Sequence, residues 1–193
     1  DTINFDSITG TSNIAVTEAN VGYFDIGFTN LTDQTIEIST GGEVTASLKD
    51  ASGTADSLTV NLTSPSGDKA LTQTIEQISA GDIETLTINT SGLSANTVDY
   101  VVTTLTDGGT AALTTLNITG DSSLDIDGTI TASKLATVDA STFTGDLQLD
   151  GVAANQTITT GSGADSLVFG SNLNNSDTVD GGAGTDTLSA TVT

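Results

Sequence analysis

The sequence predicts an all-β protein whose carboxy-terminal part is a parallel β-helix or β-roll. Short apolar runs alternate with polar residues, Gly, Asp, Asn and Ser separate these runs, and a unit of roughly 20 residues recurs after residue 113. Such a unit matches one turn of a solenoid. We therefore divide the chain into a β-rich region, 1–112, which is either a sandwich or an irregular β-helix, and a parallel solenoid, 113–193.

The amino-terminal region contains alternating segments rich in Val, Ile and Thr, residues that favour strands. We predict strands at 2–5, 13–16, 23–28, 35–38, 44–48, 58–62, 84–88 and 98–105. One stretch, 70–78, is predicted to be helical, because Leu71, Ile75 and Ile78 fit one face of a helix.

The repeat is clearest in the carboxy-terminal half. Residues 124–128 read Leu-Asp-Ile-Asp-Gly, and 147–151 read Leu-Gln-Leu-Asp-Gly, which places the copies 147 − 124 = 23 residues apart. Thr157-Ile158 recurs as Thr178-Val179 after 179 − 158 = 21 residues. Stacked turns would join these apolar rows into one core. The alternative is an antiparallel sandwich whose strands share this spacing by chance.

The charge balance limits the classes of partner. The chain has 25 Asp and Glu residues against three lysines, no Arg and no His, and a formal charge of −22. Phosphate binding needs cations, so this charge argues against nucleic acid as a partner and against electrostatic docking on bare anionic lipid. No apolar run is long enough to span a membrane. The acidic residues serve either solubility or the binding of divalent cations. Because Cys is absent, a bound metal is the remaining kind of staple.

The most specific motif lies near the carboxy terminus. Residues 181–189 read Gly-Gly-Ala-Gly-Thr-Asp-Thr-Leu-Ser and match the calcium-binding nonapeptide Gly-Gly-x-Gly-x-Asp-x-(apolar)-x at every defined position. A second copy, 160–168, departs only at its first position, and the two Asp residues lie 186 − 165 = 21 residues apart. Asp177 lies nine residues before Asp186, and the segment 177–180 aligns with 156–159.

These turns are predicted to bind Ca²⁺. Calcium takes six to eight oxygens, and glycines let backbone carbonyls converge while Asp supplies charge. A merely flexible turn is the alternative. The predicted ligand set is Asp165, Asp177, Asp180 and Asp186, with turn glycines Gly161, Gly163, Gly181, Gly182 and Gly184.

Two further acidic groups are candidates. Residues 49–58 keep the Ala-Asp-Ser-Leu ending of the second nonapeptide, and Asp50 and Asp56 flank a tight turn there. They either share a cation or belong to a solvated loop. Five more Asp residues fall at predicted corners, and we expect most of them to be solvated: Asp121, Asp125, Asp127, Asp146 and Asp150.

The two nonapeptides resemble those of repeats-in-toxin (RTX) proteins, which Gram-negative bacteria secrete through type I systems. This resemblance covers roughly residues 155–190. The segments 49–58, 83–88 and 113–120 are similar to calcium-binding bacterial surface-layer (S-layer) proteins. The resemblance implies export, a calcium-stabilised β-helix and a lattice on the cell exterior. The chain lacks the long nonapeptide arrays of toxins, which argues against a lytic role.

The sequence argues against catalysis, because no His, Cys or Arg is present to act as base, nucleophile or anion clamp. We expect an extracellular structural protein on the bacterial surface that assembles with copies of itself and contacts cell-surface polysaccharide. A module of a secreted RTX adhesin is the alternative. A threonine-array ice binder is a third class, indicated by Thr-Ile-Thr at 129–131 and 157–159, but the spacing along the sequence is irregular.

Overall fold

A computed structural model describes residues 2–4, 6–8, 12–16, 25–32, 34–39, 42–48, 53–63, 72–91, 100–109 and 112–191. These residues form β-strands and no helix, which confirms the all-β prediction. In chain order the strands are β1 Thr2–Asn4, β2 Asn13–Val16, β3 Asp25–Leu31, β4 Thr35–Ile38, β5 Gly42–Leu48, β6 Ser57–Leu62, β7 Gln73–Gly81, β8 Thr85–Thr90, β9 Tyr100–Val102, β10 Thr104–Thr106, β11 Thr115–Gly120, β12 Leu124–Ile126, β13 Thr129–Thr131, β14 Thr137–Asp139, β15 Leu147–Asp150, β16 Thr157–Thr159, β17 Ser166–Gly170, β18 Thr178–Asp180 and β19 Thr187–Ala190.

The strands form two parallel sheets, and the chain passes from one to the other as it winds into a solenoid. The first sheet has the order β1-β3-β5-β7-β9-β12-β15-β17-β19, with β10 and β13 beside it; the second has the order β18-β16-β14-β11-β8-β6-β4-β2. We call one passage through both sheets a rung. The parallel solenoid is confirmed, and it includes the described strands before residue 113. The irregular β-helix is therefore the correct alternative there, and the antiparallel sandwich is wrong.

The register matches the repeats read from the sequence. Leu124 pairs with Leu147, and Ile158 pairs with Val179. The sheets also continue across residue 113, since β11 pairs with β8 from Thr115 opposite Thr85 to Gly120 opposite Thr90.

The helix predicted over 70–78 is wrong for the described residues of that stretch, because they belong largely to strand β7; Ala70 and Leu71 lie outside the described residues. Ile75 and Ile78 are both buried although they are three residues apart. The pairing of β7 with β5 shifts register between Gly42 and Glu43, and one extra residue of β7 is accommodated there. This bulge turns two apolar residues at helical spacing toward the same core.

The core consists of aliphatic columns that run along the solenoid axis. One column in the second sheet contains Leu58, Leu86, Leu116, Val138 and Ile158, and each is at most 2% exposed. Adjacent strands are about 4.8 Å apart, so each side chain packs directly on the next. Burying one such side chain contributes about 1.5–3 kcal/mol. The columns hold the rungs in register and thereby fix the stacking of the turns between strands.

Candidate metal site at the carboxy-terminal turns

Glycines of the two nonapeptide turns stack directly on one another. Gly182 and Gly184 have φ angles of 69° and 125°, a region that favours glycine. A Cβ atom on Gly182 would collide with the carbonyl oxygen of Gly161, and one on Gly184 with that of Gly163. The stacking of rungs therefore requires these glycines, whether or not an ion is bound.

Gly161 is confined by the backbone of the preceding rung, whereas the neighbour of Gly181 is a side chain. A Cβ atom on Gly161 would meet the Phe143 carbonyl oxygen, and one on Gly181 would lie 2.7 Å from Asp186 Oδ2. Two turn carbonyls accept hydrogen bonds between rungs: Gly161 from the amide of Ala183 at 2.8 Å, and Gly181 from the hydroxyl of Thr160 at 2.7 Å. These two oxygens thus already hold adjacent rungs together.

Asp165 immediately precedes strand β17 and Asp186 immediately precedes strand β19, both in the first sheet. Both residues occupy inward-facing positions at these corners. Because Gln148 pairs with Ser166, Asp165 stacks on Leu147. The amide of Leu147 donates to Asp165 Oδ1 at 2.9 Å, and the amide of Asp165 donates to Asp186 Oδ1 at 3.1 Å. In the last two rungs a carboxylate therefore replaces leucine and joins adjacent rungs.

One oxygen of this carboxylate pair lacks a hydrogen bond. Asp165 is 2% exposed, and its Oδ2 atom is buried and accepts no hydrogen bond. Burial raises the pKa of Asp165, and the charge of Asp186 adds to this effect, while the Leu147 amide opposes it. The Thr160 hydroxyl and the Gly161 amide also lower the pKa of Asp165, although the hydroxyl donates its hydrogen bond to the Gly181 carbonyl. A buried carboxylate oxygen in this state favours a bound cation or a proton.

Asp180 and Asp177 flank strand β18. Asp180 Oδ1 accepts a hydrogen bond from the Gly182 amide at 3.0 Å and so lies beside the glycine turn. Asp177 lies at the opposite end of the strand, where both of its oxygens accept backbone amides at 2.8 Å, from Gln156 and from Asn174. The structure therefore brings Asp165 and Asp186 together, places Asp180 beside the same turn, and keeps Asp177 at another corner.

The candidate at 49–58 is described only in part, since Asp50 lies outside the described residues. Asp56 Oδ2 is buried without a hydrogen bond and lies 3.0 Å from the position of a Cβ atom built on Gly53. The Asp56 amide donates to Glu84 Oε2 of the next rung at 2.9 Å. This corner repeats the arrangement of Asp165 and Asp186, in which a carboxylate accepts the amide of the adjacent rung.

The sequence reasoning missed the inter-rung role of Glu84 and of Asp146, whose Oδ1 accepts the Ala164 amide at 2.7 Å. Both residues immediately precede a strand, as Asp165 and Asp186 do, and this position is a signal that a sequence search can use.

Among the corner residues expected to be solvated, Asp121, Asp127 and Asp146 are exposed, as predicted. Asp125 is only 8% exposed, so it does not belong to the solvated majority that the sequence predicts. Its position between Leu124 and Ile126 identifies its outward direction, but the sequence pattern carries no information on what covers it.

Across the described residues, no three or more acidic side chains form a ready cage for a metal ion. Carboxylates are nevertheless the hard oxygen ligands that calcium prefers, and the Oδ2 atom of Asp165, which accepts no hydrogen bond, fits this chemistry.

A cavity of about 300 Å³ between strands β1, β3 and β5 is lined by no titratable side chain. The described part of the chain contains no helix that could cross a membrane. No protein family, curated protein or solved structure matches the chain.

Proposed function

We propose that this chain is an extracellular structural protein whose carboxy-terminal turns bind calcium and which assembles with copies of itself into a surface layer or a similar polymer. The observation that carries the calcium-dependent role is the buried Asp165 Oδ2 atom, which has no hydrogen bond and lies beside the stacked Asp186. The extracellular location, the lattice and contact with cell-surface polysaccharide rest on the resemblance of sequence segments to RTX and surface-layer proteins.

Calcium would act on the repulsion between carboxylates of adjacent rungs. Two like charges separated by about 5 Å, the spacing of adjacent strands, repel by about 3 kcal/mol at an effective dielectric of 20. A divalent cation between Asp165 and Asp186 converts this repulsion into attraction. Because calcium binds the folded form, a concentration of 100 times the Kd raises the free energy of unfolding by about 2.7 kcal/mol.

Calcium titration of the wild-type chain and Asp165→Asn by isothermal calorimetry tests the corner site. Asp121→Asn is the matched control, because it removes the same charge from an exposed corner. We expect Asp165→Asn to lose a binding event that the wild type and the control retain. Equal calcium binding by all three proteins would overturn the assignment of the corner site.

Self-assembly would take place at the last described rung of the solenoid. Within the described residues, β18 and β19 each have a neighbour on one side only. Leu188 continues the inward column of Leu149 and Leu167 but is 45% exposed. Unpaired strand edges favour the addition of further strands; these come either from further turns of a longer chain or, as we propose, from a second copy.

Light scattering and electron microscopy of the chain in calcium, compared with Leu188→Lys, test this step. We expect ordered polymers that the charged variant prevents. Monomers at high protein and calcium concentration would contradict assembly and favour the RTX adhesin module, which needs calcium but no polymer.

The proposed role is structural rather than catalytic. The chain contains no His, Cys or Arg, and the described cavity is lined by Thr, Ile, Gly, Phe and Ser residues. Neither observation provides a general base or a nucleophile with a neighbouring base.

A second function, ice binding, is favoured by one observation on the outer face of the second sheet. Five threonines stack in register on adjacent strands although their spacing along the chain varies: Thr85, Thr115, Thr137, Thr157 and Thr178. Loops of different lengths therefore conceal a regular array of hydroxyls. The adjacent outward column contains Asp139 and Asp180, whose charges disfavour contact with ice. An ice-recrystallisation assay tests this function, and unaltered crystal growth would exclude it.

A further inference from the structure

We propose that Asp125 and Asp150 form a second divalent-cation site on the outer face of the first sheet, with Asp127 at its rim. Asp125 belongs to β12, and Asp150 ends the adjacent strand β15. Asp125 pairs with Gln148 and Ile126 pairs with Leu149, so the same register places Asp127 beside Asp150. Residues two apart on a strand share a face, and Asp125, Asp127 and Asp150 therefore lie on one face of two adjacent rungs.

Two oxygens of this group are buried without hydrogen bonds. Asp125 is 8% exposed, and both its Oδ1 atom and the Oδ1 atom of Asp150 are inaccessible and accept no hydrogen bond. A buried carboxylate that lacks partners is unfavourable unless a cation or a proton compensates it. The sequence has no Arg or His, and Lys134, the one lysine among the described residues, is exposed.

The electrostatics of the group favour a cation over a proton at neutral pH. Burial raises the pKa of Asp125 to about 6, and the neighbouring charges of Asp127 and Asp150 contribute to the shift. The carboxylate is thus mostly ionised above pH 7 and attracts positive charge. Two carboxylates with water ligands meet the preference of calcium for hard oxygen donors, and this arrangement needs no cage of three acidic side chains.

This site is independent of the corner site. Asp125 and Asp150 point outward from the first sheet, whereas Asp165 and Asp186 point inward at the start of β17 and β19. The two sites can therefore be tested independently, because a variant of one leaves the carboxylate ligands of the other unchanged.

Equilibrium dialysis of the whole chain against radioactive calcium at pH 7.5 counts the bound ions. We expect Asp125→Asn and Asp150→Asn each to bind one ion fewer than the wild type, while Asp121→Asn binds the wild-type number. Loss of this ion in both variants, with retention in Asp165→Asn, supports the site even if the corner binds nothing. Circular dichroism of each variant establishes that the solenoid is intact. Because two positions are replaced separately, the test still gives a result if one variant does not fold.

The proposal is overturned if both folded variants bind as many ions as the wild type. A shared proton is the specific alternative. It predicts an unchanged calcium count together with proton uptake near pH 6 that Asp125→Asn abolishes, and this outcome also overturns the cation site.

Discussion

Replacing Asp125 with Asn isolates the energetic cost of a buried carboxylate. Burial raises the pKa of Asp125 from its ordinary value of 3.8 to about 6. A tenfold change in proton affinity corresponds to about 1.4 kcal/mol, so the charged side chain lowers the free energy of unfolding at neutral pH by at most about 3 kcal/mol. In a chelator at pH 7.5, Asp125→Asn should therefore be more stable than the wild type. For a chain of this length, this upper limit corresponds to a gain of at most roughly 6–12 °C in Tm.

The pH dependence identifies the cause of this gain. The pKa of Asp125 is raised in the folded state. The charged side chain therefore lowers the free energy of unfolding of the wild type fully above pH 6 and not at all below pH 3.8. The difference in unfolding free energy between Asp125→Asn and the wild type should rise across this interval. Urea titrations in chelator at several pH values measure it, with Asp121→Asn as the control. A constant difference, or a variant less stable than the wild type at pH 7.5, would show that the buried charge of Asp125 is not the cause.

Three other changes test different parts of the fold. Gly163→Ala should lower the free energy of unfolding by more than 2 kcal/mol, because its Cβ atom would strike the backbone of the preceding rung, whereas Gly81→Ala, with open space around it, should have little effect; urea titration compares them. Leu116→Ala should cost about 2–5 kcal/mol in the same titration, because this fully buried side chain joins two rungs. Ser141→Ala should raise the pKa of Asp139 in an NMR titration, because the hydrogen bonds of Ser141 lower it. The stabilisation from this hydrogen bond is present above the ordinary pKa of an Asp side chain and is lost as the pH falls through the lowered pKa of Asp139. The free energies of unfolding of the variant and the wild type should therefore differ only at higher pH.

The parallel fold could be predicted where its repeats are regular. Leu124 and Leu147 share both spacing and context, and they pair as expected. The strand containing Ile75 and Ile78 could not be recognised, because its bulge gives apolar residues a helical spacing. A bulge depends on the neighbouring strand, which a local pattern does not include.

The candidate site, like the fold, could be predicted from the sequence only in part. The nonapeptides identified Asp165 and Asp186, which do stack on adjacent rungs. The nonapeptide pattern assigns their glycines to calcium binding, but the close approach of rungs requires Gly182 and Gly184 in any case. The burial of Asp125 could not be foreseen, because alternation gives the direction of a side chain and not its covering.

Calorimetric unfolding in calcium and in chelator tests most directly whether calcium bound by these carboxylates stabilises the solenoid. Stabilisation by calcium predicts a higher Tm in calcium than in chelator at pH 7.5, with the increase reduced in a variant carrying both Asp125→Asn and Asp165→Asn. The same Tm for the wild type in calcium and in chelator would contradict it.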